Sequence, residues 1–537
     1  MLILSSNGIK DKEAWESVNI ELPKFSYESM AEETKANPTW VHFGSGNIFR
    51  GFIAALEQTL LNSGKEKSGI VAVETYDYEI IDKIYTPFDN LSLQVIMKPD
   101  GSLKNSVIAS IGESIAADTE RKENWARLNS IFKNPSLKMI SFTITEKGYN
   151  LKSLSGDFSA EVAQDIKNGP ANPSNVMSKV TSLLYTRFKA GKLPLAVVSM
   201  DNCSHNGEKL YASINTIATK WAENKLVEKE FVDYINDTTK VTFPWSMIDK
   251  ITPRPSEIVE EKLTKLGLTN LSPIITNKHT YIAPFVNAEG PQYLVVEDSF
   301  PNGRPALEDA GVYFTDRETV ERVERMKVCT CLNPLHTSMA VFGCILGYTL
   351  IADEMKDECI SKLVNKIGYE EGMPVVTDPK ILNPKDFIKE VIEVRLPNPF
   401  IPDTPQRIAT DTSQKVGIRF GETIKEYVKR SDLDVTSLKY IPLVIAGWCR
   451  YLLSVDDEGK KFEISSDPLL GTLKEYLSEV ELGKKYVKGS LKPILSNKSI
   501  FGSDLYEIGL GEKVENYFEE MLAGPKAVRN TLEKYLK

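Results

Sequence analysis

The feature that most constrains the fold is a strand, two glycines and a helix in immediate succession. Thr39–Phe43 (TWVHF) is a β-type run, Gly44-Ser45-Gly46 follows it, and an apolar-periodic run from Ile48 to Leu61 follows the glycines. Ile70–Thr75 is the next β-type run, and Leu137–Thr145 and Leu195–Met200 are further ones. Strands alternating with helices predict an α/β fold whose sheet is mainly parallel. Within this region Leu91–Met97 and Ser102–Ser110 flank a Pro99-Asp100-Gly101 turn, which predicts a hairpin. Glycines at a strand–helix junction let the backbone approach a pyrophosphate, and helix N–H groups complement its charge. Gly44 and Gly46 supply the first two glycines of the dinucleotide pattern, and Phe49 stands where the third would be. Asn47 and Phe49 complete the loop, and Arg50 is placed to add a contact to phosphate. Glu74 ends the next strand, 28 residues after Gly46. A carboxylate there accepts from ribose hydroxyls and repels a 2′-phosphate, so NAD is expected rather than NADP. The alternative is a glycine turn with no ligand.

Composition narrows the classes. A chain of 537 residues with 42% hydrophobic and 26% charged side chains has an ordinary globular balance and is long enough for several domains. Lys+Arg total 65 and Asp+Glu 74, a formal charge of −9, which argues against a nucleic-acid partner. Six cysteines make no disulfide scaffold, and the C-x-C of Cys329 and Cys331 has no matching knuckle. His42, His205, His279 and His336 are scattered, so no metal site is expected. The N-terminal apolar run is too short for a signal peptide. Met339–Ala352 and Tyr440–Val455 fall short of the roughly 20 residues of a membrane span and read as buried helices. A cytoplasmic protein with reduced thiols is the expectation.

The pattern changes after Tyr293–Asp298. A turn-rich segment, Ser299–Pro305, leads into helical periodicity that continues nearly to Lys537. The chain therefore reads as a Rossmann-type domain over 1–300 and a mostly helical domain over 301–537. In the second part Glu324 and Lys327 share a helix face, as do Asn333 and His336. Asn333-Pro334 suits a helix start, with Asn333 as N-cap, so one helix is expected to end near Leu332 and another to begin at Pro334. That junction would aim Lys327, Asn333 and His336 at one spot. The plainer alternative is a surface ion pair, a cap and a core histidine. Three further polar clusters stand in loops: Ser199–Gly207 with Asp201, Asn202 and His205; Phe243–Pro253 with Asp249; and Asn398–Lys415 with Arg407. The first follows a strand, where open α/β sheets bind ligands, but each can also be an ordinary solvated loop.

Taken together, the ordered motifs from Trp40 to Lys415 resemble the polyol-specific long-chain dehydrogenases, the mannitol dehydrogenase family, which includes mannonate oxidoreductases and tagaturonate reductases. Gly44-x-Gly46-Asn47-x-Phe49-Arg50 looks like the family's nucleotide loop. Thr143-Ile-Thr145-Glu146-Lys-Gly148-Tyr149 is similar to its T-x-T-E-x-G-Y strand end, and Asp201-Asn202 to its D-N pair. Phe243–Pro253 resembles its signature, with Lys250 where arginine is usual, and Glu297-Asp298 with Gly303-Arg304-Pro305 also fits. Lys327 stands where the family has its catalytic lysine, and Arg407 with Lys415 match its substrate-pocket pair. Five residues separate Lys327 from Asn333 where the family commonly has four, which reads as one extra residue at the helix break.

The resemblance implies an NAD-dependent oxidoreductase that interconverts a sugar-acid polyol and its keto form, D-mannonate and D-fructuronate first, tagaturonate or an alditol as alternatives. Lys327 is implied as general base, Asn202 and Asn333 as donors to the reacting oxygen, and Glu324 as a proton relay. His336 and Asp249 are implied to position hydroxyls, Arg407 and Lys415 to hold the substrate, and Glu146 to belong to the cofactor site. A lysine must fall from its ordinary value near ~10.4 to roughly 7–8 to act at neutral pH. Burial and the Arg407 and Lys415 charges both push that way. The implied partner is a small sugar acid or polyol, with the chain as a monomer or small homo-oligomer. A non-catalytic nucleotide-binding protein is the reading from another class, and a zinc alcohol dehydrogenase would need ligands that no motif supplies.

Overall fold

Strands that are mostly apolar and buried along nearly their whole length must be covered on both faces, and here helices cover them. The computed structural model describes residues 1–153 and 155–537. Its main sheet contains β1 (Trp40–Phe43), β2 (Ile70–Glu74), β3 (Ile111–Ala116), β4 (Met139–Phe142), β5 (Leu195–Ser199) and β6 (Val241–Thr242). The spatial order is 3-2-1-4-5-6 and every pairing is parallel. Alternate residues enter different cores. Val41, Phe43, Val71, Ile140 and Phe142 pack with helices α2 (Lys122–Lys133), α3 (Val176–Lys189) and α4 (Asn206–Glu223). On the other face Trp40, Ala72, Met139 and Ala196 pack with α1 (Ala54–Asn62) and the widened helical turn Phe49–Ile53 that precedes it. The strand order reverses between β1 and β4, so their carboxyl ends flank the crevice where such sheets take a ligand.

Smaller sheets complete this unit. Ser92–Met97 and Leu103–Ile108 form the predicted antiparallel hairpin. At its turn Gly101, at φ +82°, donates to the Lys98 carbonyl, and Asp100 accepts from the Ser102 N–H. Ser246–Asp249 pairs antiparallel with Tyr293–Glu297, which in turn pairs parallel with Tyr313–Thr315. This last pairing carries residues beyond 300 into the first unit. The two compact units are therefore Met1–Glu321 and Arg322–Lys537, and the division lies later than the composition change near residue 300.

The second unit is helical. Helix α5 (Arg317–Met326), a widened turn Lys327–Cys331 and α6 (Asn333–Leu346) follow one another, and α6 ends at Gly347 in a left-handed conformation. Arg317–Leu346 is long and apolar enough to cross a membrane, but 78% of its most apolar window is buried in the protein, as in a core helix. Further on lie α7 (Pro405–Ile408), α8 (Glu422–Lys429), α9 (Tyr440–Tyr451) and α10 (Gly511–Met521). A Cβ on Gly447 would lie 2.5 Å from the Phe342 ring, so α9 and α6 pack closely. Arg450, fully buried in α9, donates to the carbonyls of Met521, Val455 and Asp456, which makes its charge tolerable there.

Candidate active site

The two glycines after β1 have different reasons to be glycine. Gly44 sits at φ +105°, and a Cβ on it would lie 2.2 Å from the Thr143 carbonyl oxygen at the end of β4. The fold itself demands that residue. Gly46 has no positive φ, and no protein atom lies within 4 Å of its missing Cβ. Beside it the Ser45 hydroxyl is buried and has no hydrogen-bond partner among the described residues. An open cradle at a helix start beside an orphaned hydroxyl fits the pyrophosphate of a dinucleotide.

Other residues of this loop are engaged by the protein. Phe49, in place of a third glycine, stacks on His42 with ring centroids 4.3 Å apart. His42 bridges Ser141 and Thr143 at 2.7 and 2.8 Å, and burial pushes it down to about 3, so it is neutral. Arg50, expected at phosphate, is engaged by the protein: its guanidinium is buried and donates to the Ala283 carbonyl at 2.8 Å and the Asn47 carboxamide at 2.9 Å. Asn47 is thereby fixed, and its amide reaches the Pro253 carbonyl at 3.5 Å. Glu74 is a clamp as well as a ribose candidate. Its Oε1 accepts from the N–H groups of Thr75, Tyr76 and Asp77, and its Oε2 from that of Ser45. Burial raises its pKa against the pull of those four donors. One lone pair of Oε2 is left for a ribose hydroxyl.

Asp201 does the same work after β5. It accepts from the N–H groups of Ile144 and Thr145 at 2.9 and 2.8 Å and from the Tyr149 hydroxyl at 2.6 Å. Thr145 is held at φ +67°, a conformation a β-branched residue adopts only when its surroundings impose it. Asn202, the next residue, is exposed. Glu146 is also exposed and pairs with Lys209 at 2.5 Å. Asn206, a member of the Ser199–Gly207 cluster with no role of its own assigned from sequence, is buried and ties the Asp201 carbonyl to Ser246 through bonds of 3.0 Å. Asp249 is buried at the end of its strand. Lys250 donates to the Glu289 and Gly290 carbonyls and to Gln292, so a lysine suffices at that position.

In the second unit Lys327 is 2% exposed and opens the widened turn. The Leu332 N–H donates to the Lys327 carbonyl at 3.0 Å, a span that uses one residue more than an α-turn. The chain breaks at Leu332, and α6 starts at Asn333 with Pro334 in its first turn. Asn333 is therefore the first helical residue and not the N-cap, and its carboxamide caps nothing. Glu324 is half-buried one turn before Lys327. His336 is pushed down to about 4, first by burial, with Asp403 opposing and Arg395, Arg419 and Arg407 adding to the fall. Arg407 is exposed and holds Asp403 through two bonds of 2.6 and 2.5 Å. Lys415 donates to the Thr410 carbonyl. Burial and the charges of Arg419 and Arg407 lower its pKa, while Asp411 and Asp467 oppose the fall. His336, Arg407 and Lys415 thus share one electrostatic neighbourhood, joined by Arg419, which no motif had marked.

Residues 38–309 match the mannitol dehydrogenase Rossmann domain, and residues 319–522 the mannitol dehydrogenase C-terminal domain. The chain belongs to the mannitol dehydrogenase family. A D-mannonate oxidoreductase of Thermotoga maritima is 56% identical over 534 residues, covering 99% of this chain and 98% of its own. Among solved structures, a substrate-free D-sorbitol dehydrogenase superimposes with a TM-score of 0.79 at 26% identity, covering 96% of this chain and 97% of its own. The mannitol 2-dehydrogenase of Pseudomonas fluorescens, solved with NAD and D-mannitol, gives 0.70 at 24% identity over the same shares, a likeness of fold. Among the described residues no group of three or more His, Cys, Asp or Glu side chains is placed to hold a metal ion.

Proposed function

We propose that this chain interconverts D-mannonate and D-fructuronate with NAD. It is an NAD-dependent oxidoreductase of a sugar acid or polyol, and the finer choice is supported by the 56% identity to a D-mannonate oxidoreductase along the whole chain. Bound NAD supplies the hydride acceptor. Lys327 removes the hydroxyl proton as the carbon loses hydride, and returns it in the reverse direction. Its burial at a helix break is the observation that carries this role, because a lysine is seldom buried without a task. Asn202 and Asn333 donate to the reacting oxygen, which gains negative charge before it is protonated. Glu324, one turn from Lys327, passes the proton to solvent. His336, neutral at pH 7, and Asp249 orient other hydroxyls, while Arg407 and Lys415 hold the far end of the substrate. On the cofactor side, Gly44, Gly46 and the Ser45 hydroxyl form the pyrophosphate cradle, and Glu74 offers its remaining lone pair to the ribose. Glu146 is assigned to the same cofactor site. No disulfide joins the six cysteines, which supports a reducing, cytoplasmic setting.

The test is NADH oxidation with D-fructuronate, D-tagaturonate and D-fructose side by side, with NADPH as control. Preference for D-fructuronate with NADH is the expected result. Preference for D-tagaturonate or D-fructose moves the chain to another branch of the family's chemistry.

A further inference from the structure

We infer that Arg419 is the seat of the substrate's carboxylate and the residue that makes this site one for sugar acids. The inference rests on the reading of this site as a sugar-acid site. Arg419 lies in the widened turn Gly417–Gly421, one turn after Lys415, and its N–H donates to the Lys415 carbonyl at 2.9 Å, so both side chains leave one helix face. Its Nη1 donates to the Thr337 hydroxyl at 2.5 Å. Thr337 follows His336 directly, and its own hydroxyl donates to the Asn333 carbonyl at 3.0 Å. The guanidinium is thereby anchored to the first turn of α6, which carries both Asn333 and His336.

The neighbouring cations have partners of opposite charge, and among the described residues Arg419 has none. Arg407 is neutralised edge-on by Asp403, and Lys415 is faced by Asp411 and Asp467. Arg395, also within reach of His336, has interactions of its own. The nearest acid along the chain, Glu422, is held by Arg325 and Lys425. Burial first, and then the like charge of Arg407, lower the Arg419 guanidinium to about 10, and Lys415 is a second cation in its field. A half-buried arginine beside another arginine is costly unless an anion completes it. Of its five N–H donors one is on Thr337, and the other four have no protein acceptor among the described residues. That leaves a planar fork of the shape that binds a carboxylate through two parallel bonds. A neutral alditol or ketose offers no such group.

The experiment compares reduction of D-fructuronate and D-fructose by NADH in wild type, Arg419→Gln, Arg419→Lys, Arg407→Gln and Thr337→Val, with NADH binding as the check of folding. In Arg419→Gln the uronate-over-ketose ratio of kcat/KM should fall on the order of 100-fold, chiefly through KM for the uronate. Arg419→Lys should recover part of it, since a point charge replaces a fork. Thr337→Val should lower the ratio by a smaller factor, because the charge stays and its anchor goes; it keeps the test alive should Arg419→Gln not fold. An unchanged ratio in Arg419→Gln, or in Thr337→Val if the former is unfolded, overturns the inference. So does a loss confined to Arg407→Gln. A wild type that favours D-fructose overturns the sugar-acid reading itself, which is a separate failure, visible before any variant is made.

Discussion

The carboxyl ends of the β-strands and the break between α5 and α6 each gather polar side chains, but they satisfy them in opposite ways. Around the strands, charge is answered by backbone. Glu74 takes four N–H groups, Asp201 takes two and a tyrosine hydroxyl, and Arg50 is met by a carbonyl and a carboxamide. Around the helix break, cations crowd together with only part of their charge answered by acids: Arg407 and Arg419 act on Lys415 and on His336, and Arg407 acts on Arg419. The first arrangement holds the loops in place through main-chain hydrogen bonds. The second leaves side-chain charge only partly answered by the protein, as the proposed sugar-acid site requires. Loop order and chemical reserve are thus separable here, and variants can separate them.

Lys327→Met gives the largest separation. It removes the proposed proton-transferring group and replaces it with a chain of similar length that a buried site accepts. Turnover should drop by about 10³- to 10⁴-fold, the range for losing a general acid–base group. NADH affinity, which belongs to the strand ends, should stay within about twofold, a range too small to signal a lost contact. Equal losses of turnover and NADH affinity would mean that the two regions are not separable.

Glu354→Gln comes next and concerns stability. Glu354 is fully buried, and neither carboxyl oxygen has a partner among the described residues. A Cβ on Gly343 would lie 2.2 Å from its Oε1, so the group is packed tightly against α6. Burial, then the charges of Asp357 and Asp403, raise its pKa from 4.5 to about 9. The proton therefore stays on in the folded state while the unfolded chain releases it. Stability associated with Glu354 is fully present below pH 4.5 and is lost as pH rises to about 9. The neutral glutamine should raise Tm at pH 9, by an effect on the order of several kcal/mol, and do little at pH 4.5. The same change in Tm at both pH values would show that the carboxyl does not titrate in this way.

The sheet was legible because β1, β2, β4 and β5 are apolar runs separated by helical periodicity, and the hairpin because Pro99-Asp100-Gly101 is turn chemistry. Individual site roles were less legible. An acid at the end of β2 and a D-N pair after β5 mark their positions, but a string of letters does not show whether a carboxylate faces a ligand or its own backbone. Glu74 and Asp201 face backbone. Arg50 read as a phosphate contact because arginines beside glycine loops often are; its burial against Ala283 is a tertiary fact, set more than 200 residues away in the chain. The break itself was legible, since Asn333-Pro334 marked a helix start and a widened turn at Lys327–Cys331 precedes it. Arg419 carried no signal. Its meaning lies in what is missing around it, and the absence of a carboxylate is invisible before folding.

The smallest effect sharpens the comparison within one loop. Gly44→Ala places a Cβ 2.2 Å from a backbone carbonyl and requires φ +105°, so it should lower Tm and carry any loss of NADH binding along with it. Gly46→Ala meets no protein atom within 4 Å and has no positive φ to oppose it. Its Tm should match wild type, and replacing a helix-start glycine with alanine costs the chain little. What the methyl group does fill is the space that a pyrophosphate would approach. NADH affinity should therefore fall by about 10- to 100-fold, equivalent to roughly 1.4–2.8 kcal/mol, with no change in melting. Calorimetric titration of NADH beside a thermal melt reads both quantities on the same sample. Unchanged affinity in Gly46→Ala would mean that the cradle beside Ser45 is not where the dinucleotide lies, and the split between a glycine required by the fold and one required by a ligand would collapse.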